Sequence, residues 1–116
     1  MNFNDYQKKA LSTDVSGAGG TTFQVNELPF LEQLLGLVGE AGEFADKIKK
    51  ILRDKNGIMT DQDRNESVKE LGDILWYLAV VSSYLGVNLD EVAQQNIDKL
   101  ADRAKRGVIK SQGDNR

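Results

Sequence analysis

Residues 31–52 read LEQLLGLVGEAGEFADKIKKIL, and residues 64–85 read RNESVKELGDILWYLAVVSSYL. In the first, Leu31, Leu34, Val38, Ala41, Ala45, Ile48 and Leu52 recur at steps of three and four, the period of an amphipathic helix. Leu35, Leu37, Phe44 and Ile51 widen this seam into an arc broad enough for more than one neighbour. Pro29 suits the first turn of such a helix. In the second stretch Leu71, Ile74, Leu78, Val81 and Leu85 form the corresponding seam, and the spacing predicts a helix from about Arg64 to Leu85. Between the two, RDKNGIMTDQDRN breaks the period, with Asn56-Gly57 as the turn signal. So short a connection makes the two helices an antiparallel hairpin.

Outward from the hairpin, Phe3 to Leu11 places Phe3, Tyr6 and Ala10 at helical spacing. Ser12 to Asn26 is rich in Gly, Ser and Thr without an apolar period. It reads as a connecting loop or as a mobile cover over a ligand site. Gly17 to Gly20 is too short and irregular for a phosphate loop, and no Gly-Lys-Ser/Thr follows. Gly86-Val87-Asn88 ends the second long helix, and Asn88 to Glu91 reads as an N-cap with its capping-box partner. The last helix is expected to bury Ala93, Ile97, Leu100 and Ala104 and to stop near Gly107. With no useful strand alternation, the expected fold is all-α: residues 1–116 form a single antiparallel four-helix bundle-like domain.

Composition narrows the chemistry. The chain has no Cys and no His, which removes thiolate, disulfide and imidazole chemistry. A metal here must be a hard cation held by oxygen. Eighteen acidic against fifteen basic residues give a net charge of −3, which argues against a nucleic-acid partner. There is neither an apolar signal core near Met1 nor an apolar run long enough to span a bilayer, so no membrane partner is expected and the expected location is cytoplasmic.

Two short segments repeat one design: Glu40-Ala41-Gly42-Glu43 and Glu70-Leu71-Gly72-Asp73. In each, the acids stand three residues apart and share a helix face. At about 100° per residue, Glu40 and Glu43 lie roughly 100° and 160° round from Ala41, and Glu70 and Asp73 bear the same relation to Leu71. Folding the chain back near Ile58 brings the pairs level to within a few Å, at a rise of ~1.5 Å per residue. Four like charges at one level call for a cation. The competing reading is two solvated faces, with Glu43 paired to Lys47 at i+4. The inner glycines Gly36, Gly39, Gly42 and Gly72 either permit close helix packing or leave room for a substrate. A dinuclear iron bundle, the rival carboxylate site, normally uses Glu-x-x-His, which this chain cannot supply.

On the last helix Asn96, Lys99, Arg103 and Arg106 fall at steps of three, four and three, a polar stripe beside Ile97 and Leu100. If that helix packs on the hairpin, the stripe reaches the rim of the acidic site and neutralises phosphate oxygens; otherwise it is a solvated face at a helix C-terminus, where cations are favoured. Tyr77, one turn beyond Asp73, is placed to touch a base or ribose, whereas Trp76 and Tyr84 read as core or interface residues.

At these residues the chain resembles the MazG-like family of all-α nucleoside triphosphate pyrophosphohydrolases. The family signature is Glu-x-x-Glu, a variable gap, then Glu-x-x-Asp; here Glu40/Glu43 and Glu70/Asp73 are separated by residues 44–69. GLVGEAGEFAD, ELGDILWYLAVV and NIDKLADRAKRG supply matching surroundings, and YQKKALST and the terminal GDNR resemble segments of small members. The resemblance implies Mg²⁺-dependent hydrolysis, with Mn²⁺ as an alternative, of a (deoxy)nucleoside triphosphate to monophosphate and pyrophosphate in nucleotide-pool cleaning. It makes Glu43, Glu70 and Asp73 metal ligands and Glu40 a fourth ligand or the group orienting water. It places Asn96 and Lys99 against sugar or phosphate; Tyr77 beside Asp73 and Arg103 on the basic stripe, read from their spacing, complete the expected substrate contacts. It also implies a homodimer or homotetramer, in keeping with the wide apolar arc. A nucleotide-binding regulatory module without turnover and an acidic helical oligomerisation domain are the alternative readings.

Overall fold

A computed structural model describes residues 1–17, 21–110 and 112–116. It contains four helices, α1 (Phe3–Leu11), α2 (Leu28–Asp54), α3 (Asp61–Tyr84) and α4 (Leu89–Arg106), and no strand among the described residues. The fold is all-α, as the sequence predicts.

Local chemistry sets the helix ends. Pro29 sits in the first turn of α2, and Glu27, at the N-cap position, turns its side chain away from the helix to accept from Gln24 N–H at 2.8 Å. The turn after α2 places Asn56 and Gly57 in the left-handed region, at φ 52° and 75°. Helix α3 starts earlier than the apolar period suggests, because Thr60 and Asp63 form a reciprocal capping box. Asn88 accepts from Glu91 N–H at 2.8 Å to open α4, and Gly107 closes it with φ 73°.

Helices α2 and α3 are antiparallel. Lys55 meets Asp63, Lys47 meets Glu70, Gly36 faces the Tyr77 ring and Phe30 packs near Tyr84, so one number falls as the other rises. The face of α2 turned toward α3 is not the predicted seam. Phe30 and Gln33 are buried, and Leu37, Glu40, Phe44, Lys47 and Ile51 are half-buried along the same heptad-like stripe. The predicted line Leu31, Leu34, Val38, Ala41, Ala45, Ile48 and Leu52 is exposed. Both stripes carry apolar residues. The inner one wins because it alone lays Gly36 under Tyr77 and brings Lys47 to Glu70. On α3 the matching stripe is Asp63, Ser67, Glu70, Ile74, Tyr77, Val81 and Tyr84, while Leu71, Leu78 and Leu85 stay exposed.

The core lies at the end of the hairpin away from its turn. Ala10, Ala79 and Leu89 are buried together with Tyr6, Leu75 and Trp76 packed on them, and Phe30, Val80 and Tyr84 form a second cluster. Gln7 stitches the elbow: its amide donates to Ala79 O at 3.0 Å and Val87 O at 3.3 Å, and its oxygen accepts from Leu89 N–H at 3.0 Å. Helix α4 contacts α1 and α3 but, among the described residues, not α2. Only Leu89 and Arg103 of α4 are buried. Ile97, Leu100 and Ala104 are therefore exposed, contrary to the sequence expectation, because no helix of the same chain covers that face.

Candidate active site

The two carboxylate pairs meet where the antiparallel register brings them level. Oxygens of Glu40, Glu43 and Glu70 lie within 4.8 Å of one another, Glu70 buried, Glu40 half-buried and Glu43 exposed. Asp73 stands beside them on α3 and, with Glu40, Trp76 and Tyr77, lines an adjoining depression of about 340 Å³. Glu40 and Glu70 belong to the stripes that face each other across the hairpin, which is why they converge rather than point to solvent on separate faces.

Electrostatics mark the cluster as short of positive charge. Desolvation, then the charges of Glu43, Asp73 and Glu70, push the Glu40 carboxyl above the usual carboxylate range. Glu70 is held by one cation: Lys47 Nζ lies 2.8 Å from its Oε1. Its other oxygen, Oε2, is buried without a partner. A buried, unpartnered carboxylate oxygen is costly unless something binds it. Three convergent carboxylates with such an oxygen, and no Cys or His in the chain, suit a hard divalent cation.

Aromatic rings form the wall beside the acids. Trp76 and Tyr77 meet edge to face, centroids 5.0 Å apart at 89°. Trp76 Nε1 donates to Thr13 Oγ1 at 2.8 Å and to Ala10 O at 3.2 Å, so the wall is pinned to the end of α1. Tyr77 lies against Gly36, where any Cβ would strike its ring. The next turns of α3 hold the Gly-rich segment at both sides. Tyr84 Oη donates to buried Asp14 at 2.6 Å, Gln33 Nε2 donates to the same carboxylate at 3.3 Å, and Phe23 N–H donates to Tyr84 O at 3.1 Å. Residues 18–20, the centre of the loop that reads as a connection or a cover, lie outside the described residues.

The basic stripe lies elsewhere within the chain. Lys99 Nζ is 3.3 Å from Asp114 Oδ1; Arg103 is buried and donates to Asp114 O at 2.8 Å and Oδ1 at 3.2 Å; Arg106 pairs with Asp102. Asn96 is exposed. The structure thus brings together Glu40, Glu43 and Glu70, sets Asp73 and Tyr77 beside them, and leaves Asn96, Lys99 and Arg103 on a helix that does not touch α2.

The family model of the MazG nucleotide pyrophosphohydrolase domain matches residues 30–108, which include the four acids and all of α4. The chain belongs to this family. A relative in Mycobacterium phage L5, called Gene 37 protein, is 44% identical over 116 residues, spanning 100% of both chains. No solved structure matches. For a MazG domain, the acid cluster has a coarse reading: a metal-capable carboxylate site of a nucleotide pyrophosphohydrolase. One neighbour of the MazG site differs from its sequence reading: Lys47 has the spacing of an i+4 partner for Glu43 but crosses to Glu70. Trp76 packs on the core, as its pattern predicts, and also lines the depression. The signal for Lys47 is present in the hairpin register, which levels it with Glu70.

Proposed function

We propose that the chain hydrolyses (deoxy)nucleoside triphosphates at the α-phosphorus, releasing monophosphate and pyrophosphate, in cytoplasmic nucleotide-pool cleaning. The observation that carries this reading is the convergence of Glu40, Glu43 and Glu70 around a buried Glu70 oxygen with no partner. Mg²⁺, or Mn²⁺ in its place, would neutralise phosphate charge and make a bound water more acidic. Glu43, Glu70 and Asp73 are assigned as its ligands. Glu40, whose carboxyl is held above the usual range by desolvation and then by its acidic neighbours, is the fourth ligand or orients the attacking water and accepts its proton. Tyr77 presents its ring to the base or ribose, with Trp76 fixing its orientation edge-on.

Asn96, Lys99 and Arg103 complete the site only if a second copy brings them there, and we propose a homodimer or homotetramer. The exposed α2 seam, with Leu35 69% and Val38 64% exposed, supports an apolar face between copies. Phosphorus NMR of the reaction tests the chemistry: monophosphate and pyrophosphate are expected, and activity should vanish in EDTA. Orthophosphate as the initial product, or undiminished turnover after exhaustive chelation, would overturn the assignment.

A further inference from the structure

Lys47 is the one cation touching the described carboxylate cluster, and its geometry is not that of an ordinary surface pair. On α2 its local partner is Glu43, one turn earlier, which a helical lysine meets by default. Instead Nζ crosses to α3 and lies 2.8 Å from Glu70 Oε1. The two oxygens of Glu70 are therefore used differently, Oε1 neutralised from within the chain and Oε2 buried and free among the acids.

A buried carboxylate flanked by further acids is costly without a cation or a proton beside it, including when no divalent ion is bound. Lys47 supplies that cation. A divalent cation held by Glu43, Glu70 and Asp73 would share Glu70 with the ammonium, and two cations on one carboxylate repel at short range. The side chain of Lys47 is 40% exposed on a flexible stem, so it can leave at little cost.

We propose that Lys47 and the divalent cation compete for Glu70, Lys47 acting as a positioning residue that holds the metal-free site together and is released when metal binds. The inference rests on the metal-dependent reading above and adds a built-in regulator of metal affinity. Competition of this kind is reciprocal: whatever Lys47 takes from metal affinity, metal takes from the Lys47–Glu70 contact.

The test is calorimetric titration of Mn²⁺ alone into the parent, Lys47→Met and Lys47→Arg, with melting in EDTA alongside. Lys47→Met should bind Mn²⁺ about tenfold more tightly, through lost cation–cation repulsion, while melting lower without metal. Lys47→Arg should stay near the parent in both. A second readout needs no variant: saturating Mn²⁺ should raise acetylation of Lys47 by acetic anhydride. Lys49 and Lys50, paired with Asp46 on the same helix, should be unaffected. Unchanged or weaker Mn²⁺ binding by Lys47→Met, or Lys47 labelling indifferent to Mn²⁺, would overturn the competition while leaving the metal-dependent reading in place. A parent that binds no Mn²⁺ would overturn both.

Discussion

Glu40 and Glu70 are both members of an acidic cluster, yet removing their charges should have different effects on the metal-free protein. Glu40 is crowded by acids and its carboxyl is held high, first by desolvation and then by Glu43, Asp73 and Glu70. An acid whose pKa rises on folding is no burden below its unfolded value. It destabilises progressively as pH climbs through the folded one. In EDTA at pH 7, Glu40→Gln should therefore melt above the parent, and the gain should close as the pH is taken toward 4. Its activity should fall by about two decades or more, the usual scale for losing charge stabilisation at a reacting centre. A melting temperature at or below the parent's across that range would mean that the acids do not repel one another. Glu70→Gln should show no such gain, since it strands the Lys47 ammonium that now pairs with Oε1.

Between helices, the glycines divide cleanly. Gly36 is the contact point of the hairpin at the level of Tyr77, where a methyl group would strike the ring, whereas a methyl group at Gly72 would meet nothing within 4 Å. Gly36→Ala should cost about 1–3 kcal/mol by overpacking and raise KM by shifting Tyr77. Gly72→Ala should gain up to about 1 kcal/mol from helix propensity. Urea titration of the two variants checks the contrast, and equal effects would refute the assigned contact. The start of α3 carries its own pH signature. Lys55 and the Thr60 backbone draw the Asp63 carboxyl down to about 2, so the stability it contributes is present above the ordinary aspartate range and lost as pH falls toward 2. Asp63→Asn should be less stable than the parent at pH 7, and the gap should narrow in acid melts. A gap that persists unchanged at pH 2 would show that ionisation of Asp63 is not the cause.

As a whole the chain is extended. Its radius of gyration is 16.9 Å, against about 13 Å for a compact domain of this length. The reason is visible in the helices: α2 keeps one apolar stripe inside and shows another, and α4 projects from α3 with Ile97 uncovered. The proposed function assigns a second copy to these surfaces, which would bring the α4 stripe of one chain to the acidic cluster of the other. Leu35→Glu combined with Val38→Glu should reduce the assembly to single chains in sedimentation velocity and remove most activity, though the four acids are untouched. Persistent oligomers with full activity would place the interface elsewhere. On the same argument Lys99→Ala should lower kcat/KM by roughly tenfold or more, which is ~1.4 kcal/mol, while Lys105→Ala, outside the stripe, should be tolerated. Equal small effects would mean that Lys99 serves only its contact with Asp114.

Much of the molecule is legible in its residues because the forces involved act within one helical turn. Periodicity marks α2, α3 and α4; Asn56-Gly57, Gly86 and Gly107 end helices in backbone conformations that glycine and asparagine accept most readily; Asn88 opens α4 by capping. The level meeting of Glu40 and Glu43 with Glu70 follows from counting residues to a short turn, since rise per residue is constant. The capping box at Thr60 is equally local, and periodicity misplaces the start of α3 only because the apolar period begins later than the hydrogen bonding. What only the tertiary structure decides is how helices with more than one apolar stripe face each other. Apolar spacing cannot choose between the Leu31–Leu52 line and the Phe30–Ile51 line, because both satisfy the helical period. The choice rests on contacts between residues far apart in sequence: Gly36 with Tyr77, Lys47 with Glu70, Gln33 and Tyr84 with Asp14. The position of α4 is likewise settled by the Gln7 elbow and not by its own pattern, which is why its basic stripe is readable while its distance from α2 is not.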